Sequence, residues 1–242
     1  MRAALALLLA TAALATAQPD PSPVPGKPQA TPEAPPAPEV LALEGIKAFE
    51  AGDLDTGRTK LQALLAREPE NLIGLVNLGS LEYQAGRLAE AETLLRKATR
   101  IDPGSFPAWI TLGVVAYEAG KDDLALAALA QALLLEPSNP KVRVALGITL
   151  GRKRWYNGAA MELQKAVEMD DTLVDAHFNL AVVYLQMNPP SPELARHHYE
   201  RALKLGAERD SVVEKQLNRS KEKTGRADSP APSSPSPVPA EN

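Results

Sequence analysis

The apolar residues of this chain come in paired helical runs. Between Phe106 and Glu136, the residues Phe106, Trp109, Ile110, Leu112, Gly113, Ala116 and Tyr117 fall at helical spacing, and Gly120 then breaks the pattern. Leu124, Ala125, Leu129, Ala132, Leu133 and Leu135 continue on one side until Glu136-Pro137. Apolar positions three and four apart share one face of a helix, so each run predicts a helix with one buried stripe. Glycine accepts the left-handed conformation just past a helix end without steric cost. Proline removes a donor and disfavours helix in the residue before it. The segment therefore predicts two antiparallel helices joined by a tight turn.

The same hairpin recurs along the chain. Pro69, Pro103 and Pro137 are spaced by 34 residues, as are Gly45, Gly79, Gly113 and Gly147, and again Leu78, Leu112, Leu146 and Leu180. Gly52 and Gly86 divide the first two copies as Gly120 divides the third. Ala91, Ala125 and Ala159 share one position and Ala98, Ala132 and Ala166 another, on the same helical face, where small side chains let two helix axes approach closely. A fixed period of this size belongs to units that bury their apolar faces only by stacking on one another.

These residues resemble the tetratricopeptide repeat (TPR) family. The third copy matches its pattern with Trp109, Leu112-Gly113, Ala116, Gly120, Ala125, Leu129, Ala132 and Pro137, and the second with Leu75, Leu78-Gly79, Gly86, Ala91, Leu95, Ala98 and Pro103. The fourth departs at Arg143, at Arg154 in place of glycine and at Asp171 in place of proline. In the fifth, His177, Leu180-Ala181 and Tyr184 are in register, but Ala195, Tyr199 and Ala202 arrive late, which places a two-residue insertion in the loop around Asn188 to Pro192. The first copy is the most degenerate, with Glu44 and Gly57 at leucine and alanine positions, as suits a solvated end unit. The resemblance implies an all-α, right-handed superhelical solenoid of antiparallel helix pairs. Five hairpins are expected over 39–205 (39–71, 72–105, 106–139, 140–173 and 174–205). A capping helix is expected in 206–223, opened by Ser211 as N-cap with Glu214 three residues on.

Both ends differ from this body. Met1-Arg2, an apolar run from Ala3 to Ala15 and the small residues Ala15-Thr16-Ala17 predict a secretory signal peptide over 1–17. That makes the chain exported, with the periplasm expected and secretion the alternative. The nine prolines of 18–38 and the five of 224–242 leave too little apolar surface to offset chain entropy, so both segments are expected to be disordered. The chain has no cysteine, which excludes disulfides and thiolate zinc sites even in an oxidising compartment.

The family resemblance implies a groove lined by the first helix of each pair and a protein or peptide as the partner. A second apolar stripe runs beside the core stripe of these helices: Ile46; Val76 and Tyr83; Ile110, Val114 and Tyr117; Val144 and Ile148; Phe178, Val182 and Leu185. With the core stripe it makes an apolar arc of about 200 degrees, wider than one helix contact requires. Two explanations stand: neighbouring first helices bury it against each other, or it receives an amphipathic partner segment or a second copy of the chain. The basic groove of TPR proteins that grip a terminal carboxylate has no counterpart, since those positions hold mainly apolar residues, with Asn77 and Asn179 as amides.

One cluster stands outside the repeat. Arg152, Lys153, Arg154 and Trp155 meet at the fourth turn, where three cations beside an indole could hold an anionic partner or a lipid head group. The structural alternative has the cations complementing the preceding helix end, with Trp155 packed under the turn.

Chemistry finds little footing. The net charge of -4 is dispersed, with no basic stripe for nucleic acid. The three histidines lack ligand spacing, and the glycines fall where hairpins turn rather than in a phosphate loop. The sequence thus predicts a non-enzymatic scaffold or adaptor of the cell envelope, without catalytic residues, metal or cofactor. Alternatives are a membrane- or wall-associated factor acting through the basic turn, without being integral after cleavage, and a self-assembling structural protein.

Overall fold

The computed structural model describes residues 36–227, with side chains as far as residue 220. The expected leader, nearly all of the linker and nearly all of the tail lie outside these residues. Eleven helices and no strand occur among the described residues: α1 (Pro38–Glu50), α2 (Leu54–Arg67), α3 (Leu72–Gln84), α4 (Leu88–Ile101), α5 (Phe106–Glu118), α6 (Asp122–Leu135), α7 (Pro140–Arg152), α8 (Tyr156–Met169), α9 (Val174–Gln186), α10 (Pro192–Lys204) and α11 (Ser211–Ala227). Pro38 starts α1 rather than ending the linker, a position where a missing N–H costs nothing.

The first four turns share one backbone design. The amides of Asp53, Arg87, Lys121 and Trp155 each bond back to the carbonyl five residues earlier, at Ala48, Glu82, Ala116 and Leu150. This Schellman closure needs a left-handed residue in the middle of the turn. Gly52, Gly86 and Gly120 supply it at φ 79°, 77° and 73°, and Arg154 is forced into it at 62°. The fifth turn abandons the design: its loop is residues 187–191, two longer than the others, and Ser191 N–H closes it onto the Tyr184 carbonyl.

Within each hairpin, close approach sets the packing. Leu61, Leu95, Leu129 and Leu163 are fully buried. Each fills the notch left by Gly45, Gly79, Gly113 or Gly147, where a Cβ would lie 2.6–2.8 Å from the leucine Cγ. In the fifth hairpin the buried pair is Ala181 and Tyr199. The repeated alanines, Ala91, Ala98, Ala125, Ala132, Ala159 and Ala166, are all fully buried.

Each second helix also packs on the first helix of the next pair, so the core is continuous along the array. Consecutive first helices touch, α1 on α3, α3 on α5, α5 on α7 and α7 on α9, whereas consecutive second helices do not. The stack therefore bends with its first helices inside and its second helices outside. At its end α11 packs on α9 and α10 through Val213 and Leu217. Its cap is Asp210 rather than Ser211: the Asp210 carboxylate accepts from the amides of Val212 and Val213 at 2.8 and 3.0 Å. Glu214 instead accepts from Arg209 at 2.7 Å. The helix continues to Ala227, beyond the expected Lys223.

Candidate functional site

The inner face is built from the first helices, and the structure divides its apolar stripe in two. Val76, Ile110 and Val144 are 9, 5 and 6 % exposed, because this column is sealed between successive first helices. Ile46, Val114, Ile148 and Val182 form the next column and are half-buried, as are Tyr83, Tyr117, Leu185 and Phe178. Both explanations of the stripe therefore operate on different residues: one column is structural, and the other keeps accessible surface. Ser80 interrupts the accessible column, buried with its hydroxyl donated to the Val76 carbonyl at 2.9 Å. The rim is mixed, with Glu39, Lys141, Glu50 and Glu118 exposed. Asp175 is half-buried there, and burial pushes its carboxyl above the ordinary range.

The basic turn is less available than its sequence suggests. The Arg152 guanidinium lies 3.5 Å above the Tyr117 ring and pairs with Asp122, while Lys153 pairs with Asp123. These aspartates open α6, so the two cations tie the fourth hairpin to the third rather than cap their own helix. Arg154 makes no ion pair among the described residues and is exposed. Trp155 does not pack under the turn; it is 54 % exposed, with Lys153 Nζ 4.9 Å from its ring. Among the described residues, Arg154 is thus the cation of this turn without an ion pair, and Trp155 is exposed with Lys153 against its ring.

The comparisons with known proteins agree with this architecture. The tetratricopeptide repeat family model matches residues 43–106. Among solved structures, one described as MamA MSR-1 is 22 % identical with a TM-score of 0.61, covering 69 % of this chain and 95 % of its own. A second, a MamA RS-1 double mutant, is 18 % identical with a TM-score of 0.64, covering 77 % and 97 %. A third, YrrB, is described as a TPR protein with an unusual peptide-binding site; it is 19 % identical with a TM-score of 0.62, covering 75 % and 90 %. The described residues have the fold of a tetratricopeptide-repeat solenoid. No curated protein sequence matches it.

The departure from the repeat pattern at Arg143 turns out to be a structured substitution. Trp109, Arg143 and His177 occupy one repeat position. Trp109 Nε1 donates to the Pro103 carbonyl at 2.8 Å, Arg143 Nη2 to that of Pro137 at 3.0 Å, and His177 Nε2 lies 3.0 Å from that of Asp171. Each donor ties its first helix to the carbonyl six residues earlier. Arg143 also reaches Glu162 of the same hairpin at 2.6 Å.

Charged clasps between TPR units had no signal in the hydrophobic pattern. Glu82 is 4 % exposed and accepts from Arg58 Nε at 2.8 Å and from Arg87. Glu92 accepts from Arg96 at 3.0 Å and from Lys121 at 2.8 Å. Burial opposes its ionisation, but these two hydrogen bonds outweigh burial and hold its carboxyl below the ordinary range. Only the Glu92–Arg96 pair, four residues apart on α4, has a spacing signal; Arg58, Arg87 and Lys121 reach these carboxylates from outside their helices.

The histidines meet in the fifth TPR unit. His177 and His198 face each other with their Nδ1 atoms 3.0 Å apart. With His177 Nε2–H donated to the Asp171 carbonyl, neutral His177 accepts at Nδ1 and His198 donates. Tyr184 stacks on His198, with ring centroids 5.7 Å apart. Burial, then the neighbouring His177 and His197, lowers His198 to about 4. His197 is exposed and edge-on to His198. The hydrogen bond between the two rings occupies both facing Nδ1 atoms and ties α9 to α10.

Proposed function

We propose that this TPR solenoid is a non-enzymatic adaptor that takes up an amphipathic segment of a partner protein along its inner face. The observation that carries the reading is the half-buried column Val114, Ile148 and Val182, flanked by Tyr117, Phe178 and Leu185. Such a column offers shallow apolar contacts at the repeat spacing, which suits an extended or helical segment with periodic apolar residues. The TPR fold supports protein or peptide binding as the general activity, and the description of YrrB as having a peptide-binding site is in keeping with it. Ile110 and Val144 belong to the frame on this reading, not to the contact surface.

The leader read from the sequence supports an exported protein acting in the cell envelope. Fractionation of cells producing the full chain, with the mature N-terminus determined by mass, tests this. An envelope or periplasmic protein beginning at Gln18 is expected, and an intact Met1 in the cytosol overturns it.

The face itself is tested by Val114→Thr, Ile148→Thr and Val182→Thr combined, which remove apolar surface with little change of shape. Captured envelope proteins are identified with the wild-type chain, and their segments are then titrated against both forms. Loss of binding by at least one segment, at unchanged thermal stability, is expected. Identical titrations for every segment sink the reading.

A further inference from the structure

The outer face of the solenoid carries a pattern that its inner face does not explain. Among the five second helices, only α6 has no charged residue beyond its first turn. Its outward residues are Ala127, Ala130, Gln131, Leu134 and Leu135, all exposed, and Leu134 reaches 73 %. On either side lie α4 and α8, which carry charge at some of the equivalent repeat positions. The Leu134 position holds Arg100 on α4 and Glu168 on α8, both exposed. Arg100 donates only to the Arg96 carbonyl, at 3.4 Å, and Glu168 makes no ion pair or hydrogen bond among the described residues. The Ala130 position holds Arg96 and Gln164, and the Ala127 position holds Thr93 and Met161, the latter 55 % exposed.

The geometry points to a second copy of this chain as the occupant of that face. A two-fold axis running along α6 sets each α6 residue against itself and each α4 position against the equivalent α8 position of the other copy, the reciprocal pairing of an isologous contact. Leu134 then meets Leu134, Ala130 meets Ala130, and Arg100 meets Glu168 twice. Arg96 faces Gln164 and Thr93 faces Met161, so no like charges oppose at these positions. Lys97 and Lys165 do fall opposite each other, but both are half-buried and already committed, to the Pro69 carbonyl at 2.5 Å and to Glu162 at 3.0 Å. The antiparallel alternative sets α4 against α4 and brings Arg96 towards Lys97, which charge disfavours.

Three helices of this length present a strip of about 600 Å² per copy at most, below the roughly 800 Å² per partner of standard interfaces, so a dynamic dimer of about micromolar affinity or weaker follows. The dimer leaves both inner faces open and so makes the adaptor divalent.

The test is sedimentation velocity on the full chain over a range of concentrations, with far-UV circular dichroism to confirm folding. The wild type is expected to dimerise and Leu134→Arg to remain monomeric. Arg100→Glu and Glu168→Arg each place like charges across the axis and are expected to weaken the dimer by about tenfold or more. Mixed together, these two variants restore both opposite-charge pairs and are expected to recover the wild-type affinity as a heterodimer. A wild type that stays monomeric to about 1 mM, the weak end of specific association, overturns the proposal. So does a mixture that recovers nothing. Association indifferent to residues 100, 134 and 168 also overturns it and assigns self-association to another surface.

Discussion

Trp109 and Arg143 stand one repeat apart and make the same hydrogen bond, each to the proline carbonyl that precedes its own first helix, Pro103 for one and Pro137 for the other. A bulky indole and a guanidinium are thus interchangeable as donors. They differ in what they require around them, because Arg143 brings a charge that Glu162 must neutralise in a site where both side chains are mostly buried.

Arg143→Met leaves the Glu162 carboxylate with Lys165 alone and removes the carbonyl bond. Breaking one partner of a largely buried pair costs on the order of 3 kcal/mol. Urea titration is expected to show a loss of that size, and the double variant Arg143→Met with Glu162→Gln is expected to recover part of it. Additive losses in the double variant argue against coupling.

Arg154 is held at φ 62° because the Schellman closure of its turn is fixed by the Trp155–Leu150 backbone bond. A side chain in the left-handed region costs roughly 1–2 kcal/mol, which glycine avoids. Arg154→Gly is expected to raise the melting temperature by about 3 °C for a domain of this size. Gly120→Ala at the equivalent turn is expected to lower it by a similar amount.

Gly113 is a matter of space rather than of backbone angle. A Cβ there would lie 2.6 Å from Leu129 Cγ, in a site where Leu129 is fully buried. Overpacking of this kind costs about 1–3 kcal/mol and outweighs the roughly 1 kcal/mol gained in helix propensity. Gly113→Ala is therefore expected to destabilise. Gly151 lies in the next first helix with its nearest atom 3.7 Å from a Cβ, so Gly151→Ala is expected to be neutral or stabilising.

His198 couples the last unit to pH. Its ordinary value of 6.5 falls to about 4 in the folded chain, so the unfolded chain binds the proton more readily between those limits. Stability from this group is therefore fully present above about pH 6.5 and declines as pH falls towards 4. His177 is lowered as well, chiefly by burial, and adds in the same direction. Denaturation midpoints measured across this window are expected to fall more gently in His198→Phe than in the wild type. Parallel slopes in the two proteins would assign the acid sensitivity elsewhere.

Much of the frame was legible in the chain itself. The interval between Gly79 and Gly113 reports a local steric requirement repeated at each hairpin, and Gly52, Gly86 and Gly120 report a turn whose angle only glycine enters cheaply. The N-cap of α11 was misread by one residue, because Asp210 and Ser211 are both good caps and only the backbone direction chooses between them. The apolar stripe was visible as a stripe, but not that Ile110 would be sealed and Val114 left half-open, since that depends on how far one first helix tilts against the next.

The sequence by itself determined the helices, their pairing and the number of stacked units, because periodicity, glycine and proline act within a few residues of where they stand. Tertiary structure alone decided which charges are spent and which are free. Arg152 and Lys153 are consumed by aspartates of the preceding hairpin, Glu82 is enclosed by two arginines from other elements, and Arg100 and Glu168 have no oppositely charged partner among the described residues. The physical reason is that an ion pair requires two side chains to meet in space, and residues about a repeat apart in sequence become neighbours only once the hairpins have stacked.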